Sequence, residues 1–141
     1  MSAHVLATGE DAADFLQSQF SNDLRPFSPG QCTYGLWLDV KGKIVADSWV
    51  FCEGGERFHI YSEHSDAALI QEKLESHIVA DEVELETGQP VSALAVVGTT
   101  LEGLGDLSGV ECVIPGRRSS RPSHELIFKD ASARQAWLDQ A

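Results

Sequence analysis

The sequence points to an α+β fold in which antiparallel sheets are flanked by helices. Short apolar runs of strand type dominate the chain, and they are joined mostly by turns too short for a parallel crossover, such as Glu53-Gly54-Gly55-Glu56. Three segments with apolar residues at helical spacing interrupt the strands, which separates this pattern from a doubly wound sheet. At 141 residues with 43% hydrophobic content, one domain spanning residues 1–141 is expected.

"HVLATG" reads as the first strand, and Thr8, three residues before Asp11, resembles an N-terminal cap. In "EDAADFLQSQF" the residues Ala12, Phe15, Leu16 and Phe20 form the apolar stripe of a helix. "SNDLRPFSPG" ends it, with Asn22 near the C-terminal end and prolines at 26 and 29. "TYGLWLD", "KIVADSWVFC" and "RFHIYS" then form an antiparallel meander. "SDAALIQEKLESHI" carries Ala67, Ile70, Leu74 and Ile78 on one helical face, suited to cover a face of that sheet. "EVELE", "VSALAVVG", "GVECVI" and "HELIFK" read as further strands, and "DASARQAWLDQ" as a closing helix capped by Asp130. "VVGTTLEGLG" lacks both the dinucleotide fingerprint and the P-loop lysine.

One acid stands out inside an apolar strand. With a two-residue Lys41-Gly42 turn, Val40 pairs with Lys43, Leu38 with Val45, Leu36 with Asp47 and Tyr34 with Trp49. Asp47 then shares a face with Tyr34, Leu36, Leu38, Val45, Trp49 and Phe51, while Gly35, Asp39, Ala46 and Ser48 line the other; a three-residue loop shifts the pairing by one. A carboxylate on an apolar face is wet, satisfied by a neighbour, or part of a ligand site, and the residues alone leave all three open. The ligand suited to a carboxylate beside Trp and Tyr rings is a flat heterocycle with adjacent N–H donors.

Charge and composition narrow the partners. The 22 acidic and 10 basic residues, net −12, repel a nucleic-acid backbone and an anionic membrane surface. Arg117, Arg118 and Arg121 form the basic cluster "GRRSSR", which reads as a solvated loop or as an anion-recognition loop. Cys32, Cys52 and Cys112 lack C-x-x-C spacing and suggest a reducing cytoplasm; no leader peptide or membrane span is visible. His4, His59, His64, His77 and His124 show no H-x-H pairing, so no metal site is expected.

Residues 9–51 resemble the opening region of the YgfZ and glycine-cleavage T-protein (aminomethyltransferase) folate-binding superfamily. Gly9, Asp11, Ala12, Phe15, Leu16, Gln17 and Gln19 match its G-x-D-A-x-x-F-L-Q-x-Q helix, "SND" stands for T-N-D, and "DVKGKI" matches the YgfZ-like turn. The likeness extends more weakly to about residue 100. The resemblance implies the fold of the aminomethyltransferase folate-binding domain and a bound tetrahydrofolate or related folate. It places Asp47 at the aspartate that contacts the pterin and Glu125 in the region of a further folate-contacting acid. In such a folate site Trp49 and Tyr34 would pack around the pterin, Asn22 would shape the edge and Arg117, with Arg118 and Arg121, would meet the glutamyl carboxylates.

The family's K-G-C cysteine motif, its G-Y-T-G-E segment and its C-terminal barrel have no counterpart in these residues, so a reduced relative is expected, with no catalytic residue assigned. The resemblance favours a folate-binding module in one-carbon metabolism or iron–sulfur protein maintenance. Two alternatives stay open: an interaction subunit that kept the fold without folate, as a homodimer or with a partner subunit, and a one-carbon transferase completed by a partner chain.

Overall fold

A computed structural model describes residues 3–88, 91–98, 102–115 and 123–140. Its elements run β1 (Ala3–Thr8), α1 (Ala12–Gln19), β2 (Cys32–Leu38), β3 (Ile44–Gly54), β4 (Arg57–Ser62), α2 (Ala67–Glu75), β5 (Glu84–Thr87), β6 (Ser92–Val97), β7 (Cys112–Pro115), β8 (Ser123–Phe128) and α3 (Ala131–Gln140), with a 3₁₀ turn at Glu102–Leu104. This is the expected α+β mixture of antiparallel sheets and helices. The chain clusters into two compact units, Met1–Gln89 and Pro90–Ala141.

The first unit is a five-stranded sheet in the order β2-β3-β4-β1-β5, with every neighbouring pair antiparallel. Both expected stripes are buried: Ala12, Phe15, Leu16 and Phe20 from the α1 segment, and Ala67, Ile70 and Leu74 from α2. They close a core with Val5 and Ala7 of β1, Trp37 of β2, Ala46, Val50 and Cys52 of β3, and Phe58 and Ile60 of β4. Burying side chains such as Leu16, Ile70 or Leu74 is worth roughly 1.5–3 kcal/mol each, so these stripes rather than helix propensity hold two such short helices.

The core lies beneath the small-residue face of the hairpin. Gly35, Ala46 and Ser48 point to the same side as Trp37 and Val50, and their small size makes room for large rings. A methyl group on Gly35 would sit 2.6 Å from the Phe20 ring, which itself packs on Trp37 at 4.6 Å between centroids. Ser48 Oγ accepts the Trp37 indole N–H at 2.9 Å and so satisfies a fully buried donor.

One local expectation is corrected and one open alternative is decided. Thr8 ends β1 instead of capping the helix; the cap position is Asp11, whose carboxylate makes no cap bond and accepts the Glu82 N–H at 2.7 Å. The hairpin closes through three residues, Val40, Lys41 and Gly42, not two, because Asp39 Oδ1 accepts from both the Lys41 and Lys43 amides and Asp39 N–H donates to the Lys43 carbonyl. Leu38 therefore pairs with Ile44, and a bulge next to Trp37 restores Leu36 to Asp47 and Tyr34 to Trp49.

In the second unit β8 is the central strand of the order β6-β8-β7, both pairs antiparallel. Ile114, Leu126, Ile127 and Phe128 are fully buried. Asp130 caps α3 as expected, accepting the Ala133 N–H at 2.8 Å, and Trp137 tethers the helix by donating to the Asp106 carbonyl at 2.9 Å.

Candidate functional site

Strand pairing assembles a row of aromatic side chains across the first sheet. Tyr34 pairs with Trp49, Trp49 with Tyr61, and Tyr61 with His4, so one ring from each of β2, β3, β4 and β1 stands on the face away from the core. Tyr34 meets Trp49 edge-on at 5.2 Å, and His4 lies nearly parallel to Tyr61 at 4.8 Å. His59 and Phe51 continue the surface in the next row. Trp49 and Tyr61 are buried, at 8% and 3% exposure, whereas Tyr34, Asp47, Phe51 and His59 remain partly open.

Asp47 sits one row beyond Trp49, opposite Leu36. Its Oδ2 accepts the Tyr34 hydroxyl at 2.5 Å and its Oδ1 accepts the Ser65 hydroxyl at 3.0 Å, while its own N–H donates to Ser65 Oγ at 3.1 Å. Burial pushes the carboxyl's pKa up, but the Tyr34 and Ser65 hydrogen bonds, the nearby His64 and the backbone N–H outweigh it and hold the pKa below the usual carboxylate value. Of the three readings of this acid, the neighbour-satisfied one describes its geometry. It does not exhaust the carboxylate: with about four lone-pair sites and one side-chain donor on each oxygen, each oxygen retains acceptor capacity for a pair of parallel N–H groups.

Asn22 acts one step back. Its Nδ2 donates to the Tyr34 carbonyl at 3.0 Å and its Oδ1 accepts the Asp23 N–H at 2.8 Å, so its amide grips the backbone of the residue whose hydroxyl meets Asp47. Ser21 does the same for Leu36, accepting its N–H on Oγ at 2.8 Å. The "SND" segment thus staples the outer edge of β2, where unpaired backbone groups would otherwise be exposed. Glu125 belongs to the second unit, buried at 5% on β8 between Ala95 and Ile114. Arg117, like Arg118 and Arg121, lies outside the described residues.

The structure adds Ser65, Tyr61, His4 and His59 to this face. His59 Nε2 lies 2.9 Å from Glu53 Oε1, and Glu53 is also held by Arg57 Nε at 2.6 Å. The His59 bond, opposed by burial and aided by Arg57, keeps the Glu53 carboxyl ionised below its usual range. A carboxylate can only accept, so His59 Nε2 carries a proton, and in the neutral ring Nδ1 accepts from His4 Nε2 across 2.9 Å. Residues 55 positions apart meet because β1 pairs with β4; sequence spacing carried no sign of it. Among the described residues no group of three His, Cys, Asp or Glu side chains could hold a metal ion, and no helix is long and apolar enough to cross a membrane.

The family model described as the GCVT N-terminal domain matches residues 2–103. Aminomethyltransferases of Bacillus cytotoxicus and Bacillus cereus (strain B4264) are each 27% identical over 100 residues, 71% of this chain. The match spans 27% of their own length, about a quarter. The crystal structure of the glycine cleavage system aminomethyltransferase T from Bartonella henselae superposes with a TM-score of 0.76 at 16% identity, covering 97% of this chain and 42% of that one. At that identity the likeness is one of fold.

Proposed function

Because the chain belongs to the GCVT N-terminal domain family, we propose that it is a folate-binding module of aminomethyltransferase type, serving one-carbon metabolism, with Asp47 receiving the pterin ring. The observation that carries this reading is the position of Asp47 one row along from a cross-strand aromatic row, on the sheet face that the core does not use. A reduced pterin is flat and presents adjacent N–H donors, which suit the acceptor capacity left on the carboxylate. Tyr34 supplies an aromatic edge beside it and, with Ser65, fixes the carboxylate's orientation before any ligand arrives, so little rotamer entropy is lost on binding. Asn22 positions the site through the Tyr34 backbone, without touching ligand. Binding, rather than group transfer, is the proposed activity, since one oriented carboxylate does not supply both the acid and the base that transfer needs.

Titration with tetrahydrofolate, followed through tryptophan fluorescence, tests this directly. Trp49 lies 5.2 Å from Tyr34, so saturable quenching is expected, and Asp47→Asn should weaken binding by about tenfold or more, the effect of losing a charge-assisted pair of hydrogen bonds. No saturable response, or equal affinity in the variant, contradicts the assignment.

A further inference from the structure

A cleft of about 320 Å³ opens where the end of α1, the β2–β3 turn and the last turns of α2 meet, and none of its lining residues belongs to the Asp47 cluster. Its walls divide by chemistry: Phe20, Leu38 and Val40 are apolar, whereas Lys73, Asp39 and His77 are ionisable. Val40 is 90% exposed, so a large apolar side chain stands at this opening without cover.

The two charges of the cleft act on each other without touching. Among the described residues, Lys73 Nζ makes one hydrogen bond, a 3.3 Å donation to the neutral Gln19 Oε1, and no ion pair. Burial lowers its pKa and the more distant Asp39 partly restores it, the condition of an ammonium partly stripped of water without a close counter-ion. Asp39 uses Oδ1 for the turn amides of Lys41 and Lys43, which leaves Oδ2 with no hydrogen bond among the described residues. His77 Nδ1 lies 3.0 Å from the Lys73 carbonyl, which can only accept, so Nδ1 carries the proton and Nε2 of the neutral ring is an acceptor.

A simple anion would meet Asp39 in a protein of net charge −12, and a simple cation would meet Lys73. A ligand carrying both charges close together satisfies both walls. We propose that this cleft binds a small α-amino acid with an apolar side chain, its carboxylate on Lys73, its ammonium on Asp39 Oδ2 and its side chain against Leu38, Val40 and Phe20. The site is independent of the folate reading.

Amide NMR spectra of the protein titrated with L-leucine, with 4-methylpentanoate as the carboxylate half and with 3-methylbutylamine as the ammonium half, test it. Saturable shifts at Gln19, Asp39, Val40 and His77 are expected with L-leucine at an affinity on the order of millimolar, with each half ligand about tenfold weaker. Lys73→Gln and Asp39→Asn should each cost L-leucine about tenfold in affinity; the asparagine retains the Oδ1 acceptor of the turn, and spectral dispersion reports that both variants fold. Asp47→Asn should leave this binding unchanged, so failure here and failure of the folate reading are distinguishable. Equal affinity for L-leucine and 4-methylpentanoate, undiminished binding in folded Lys73→Gln, or no saturable shift overturns the proposal.

Discussion

Replacing Gly35 by alanine adds one methyl group to β2 where the strand passes over the core. The new Cβ would lie 2.6 and 2.8 Å from two carbons of the Phe20 ring and 3.1 Å from Ser21 Oγ. Phe20 is 7% exposed and packs against Trp37, itself fully buried, so the ring has little freedom to retreat. In an extended strand alanine is favoured over glycine by roughly 0.5–1 kcal/mol, and overpacking a filled core costs about 1–3 kcal/mol. The net expectation is a loss of about 1–2 kcal/mol, read as a lowered urea midpoint at unchanged slope. The diagnostic measurement is a double-mutant cycle with Phe20→Leu, which removes the ring and should make Gly35→Ala neutral or stabilising. Additive losses, or a stabilising single Gly35→Ala variant, would refute the placement of the core under the small-residue face. The assignment of Asp47 to the face opposite the core depends on that placement.

Other perturbations test the site and its frame. Tyr34→Phe removes the hydroxyl that helps hold Asp47 ionised and should cost about 1 kcal/mol at pH 7 after allowing for partial exposure. Since the folded pKa of Asp47 is depressed below 3.8, that contribution is present above 3.8 and is lost as pH falls through the folded value, so the deficit in urea stability should shrink in acid; a deficit constant with pH counts against the assignment. Ser48→Ala leaves the buried Trp37 indole N–H without its 2.9 Å acceptor and should cost about 1–3 kcal/mol in the same assay. Gly9→Ala places a Cβ 2.1 Å from the Glu82 carbonyl at a φ of +133°, and a loss of at least about 2 kcal/mol is expected; a neutral result would mean that the α1 entry does not dock on residue 82 as described.

The hairpin shows how far sequence reasoning reached. Alternation fixes which side chains of one strand share a face, so the grouping of Asp47, Trp49 and Phe51 was legible without knowing any partner. Turn chemistry was not: Asp39 captures two amides and enlarges the loop to three residues, which shifts the register by one, and the bulge beside Trp37 shifts it back. The pairs Leu36–Asp47 and Tyr34–Trp49 thus match expectation through two local features that compensate.

Hydrophobicity, in contrast, misdirects attention to the larger face. Here the core selects Gly35, Ala46 and Ser48 because rings from α1 and β2 need the volume. Long-range meetings lay beyond reach for the same reason: the His4–His59 contact exists only because β1 returns between β4 and β5. The Gly9-x-Asp11 pair likewise gains its physical sense only in three dimensions. Gly9 admits the Glu82 carbonyl, the Asp11 N–H donates to it at 3.2 Å, and the Asp11 carboxylate takes the Glu82 N–H.

Amide and indole NMR shifts during titration with a reduced pterin that lacks the benzoylglutamate tail would locate the ligand on the sheet. Perturbations gathered at Tyr34, Asp47, Trp49 and Ser65, and lost in Asp47→Asn, are the expected result. Shifts confined to the helical side around Phe15, Leu16 and Ile70, or undiminished when Asp47 is replaced, would contradict a pterin-facing Asp47.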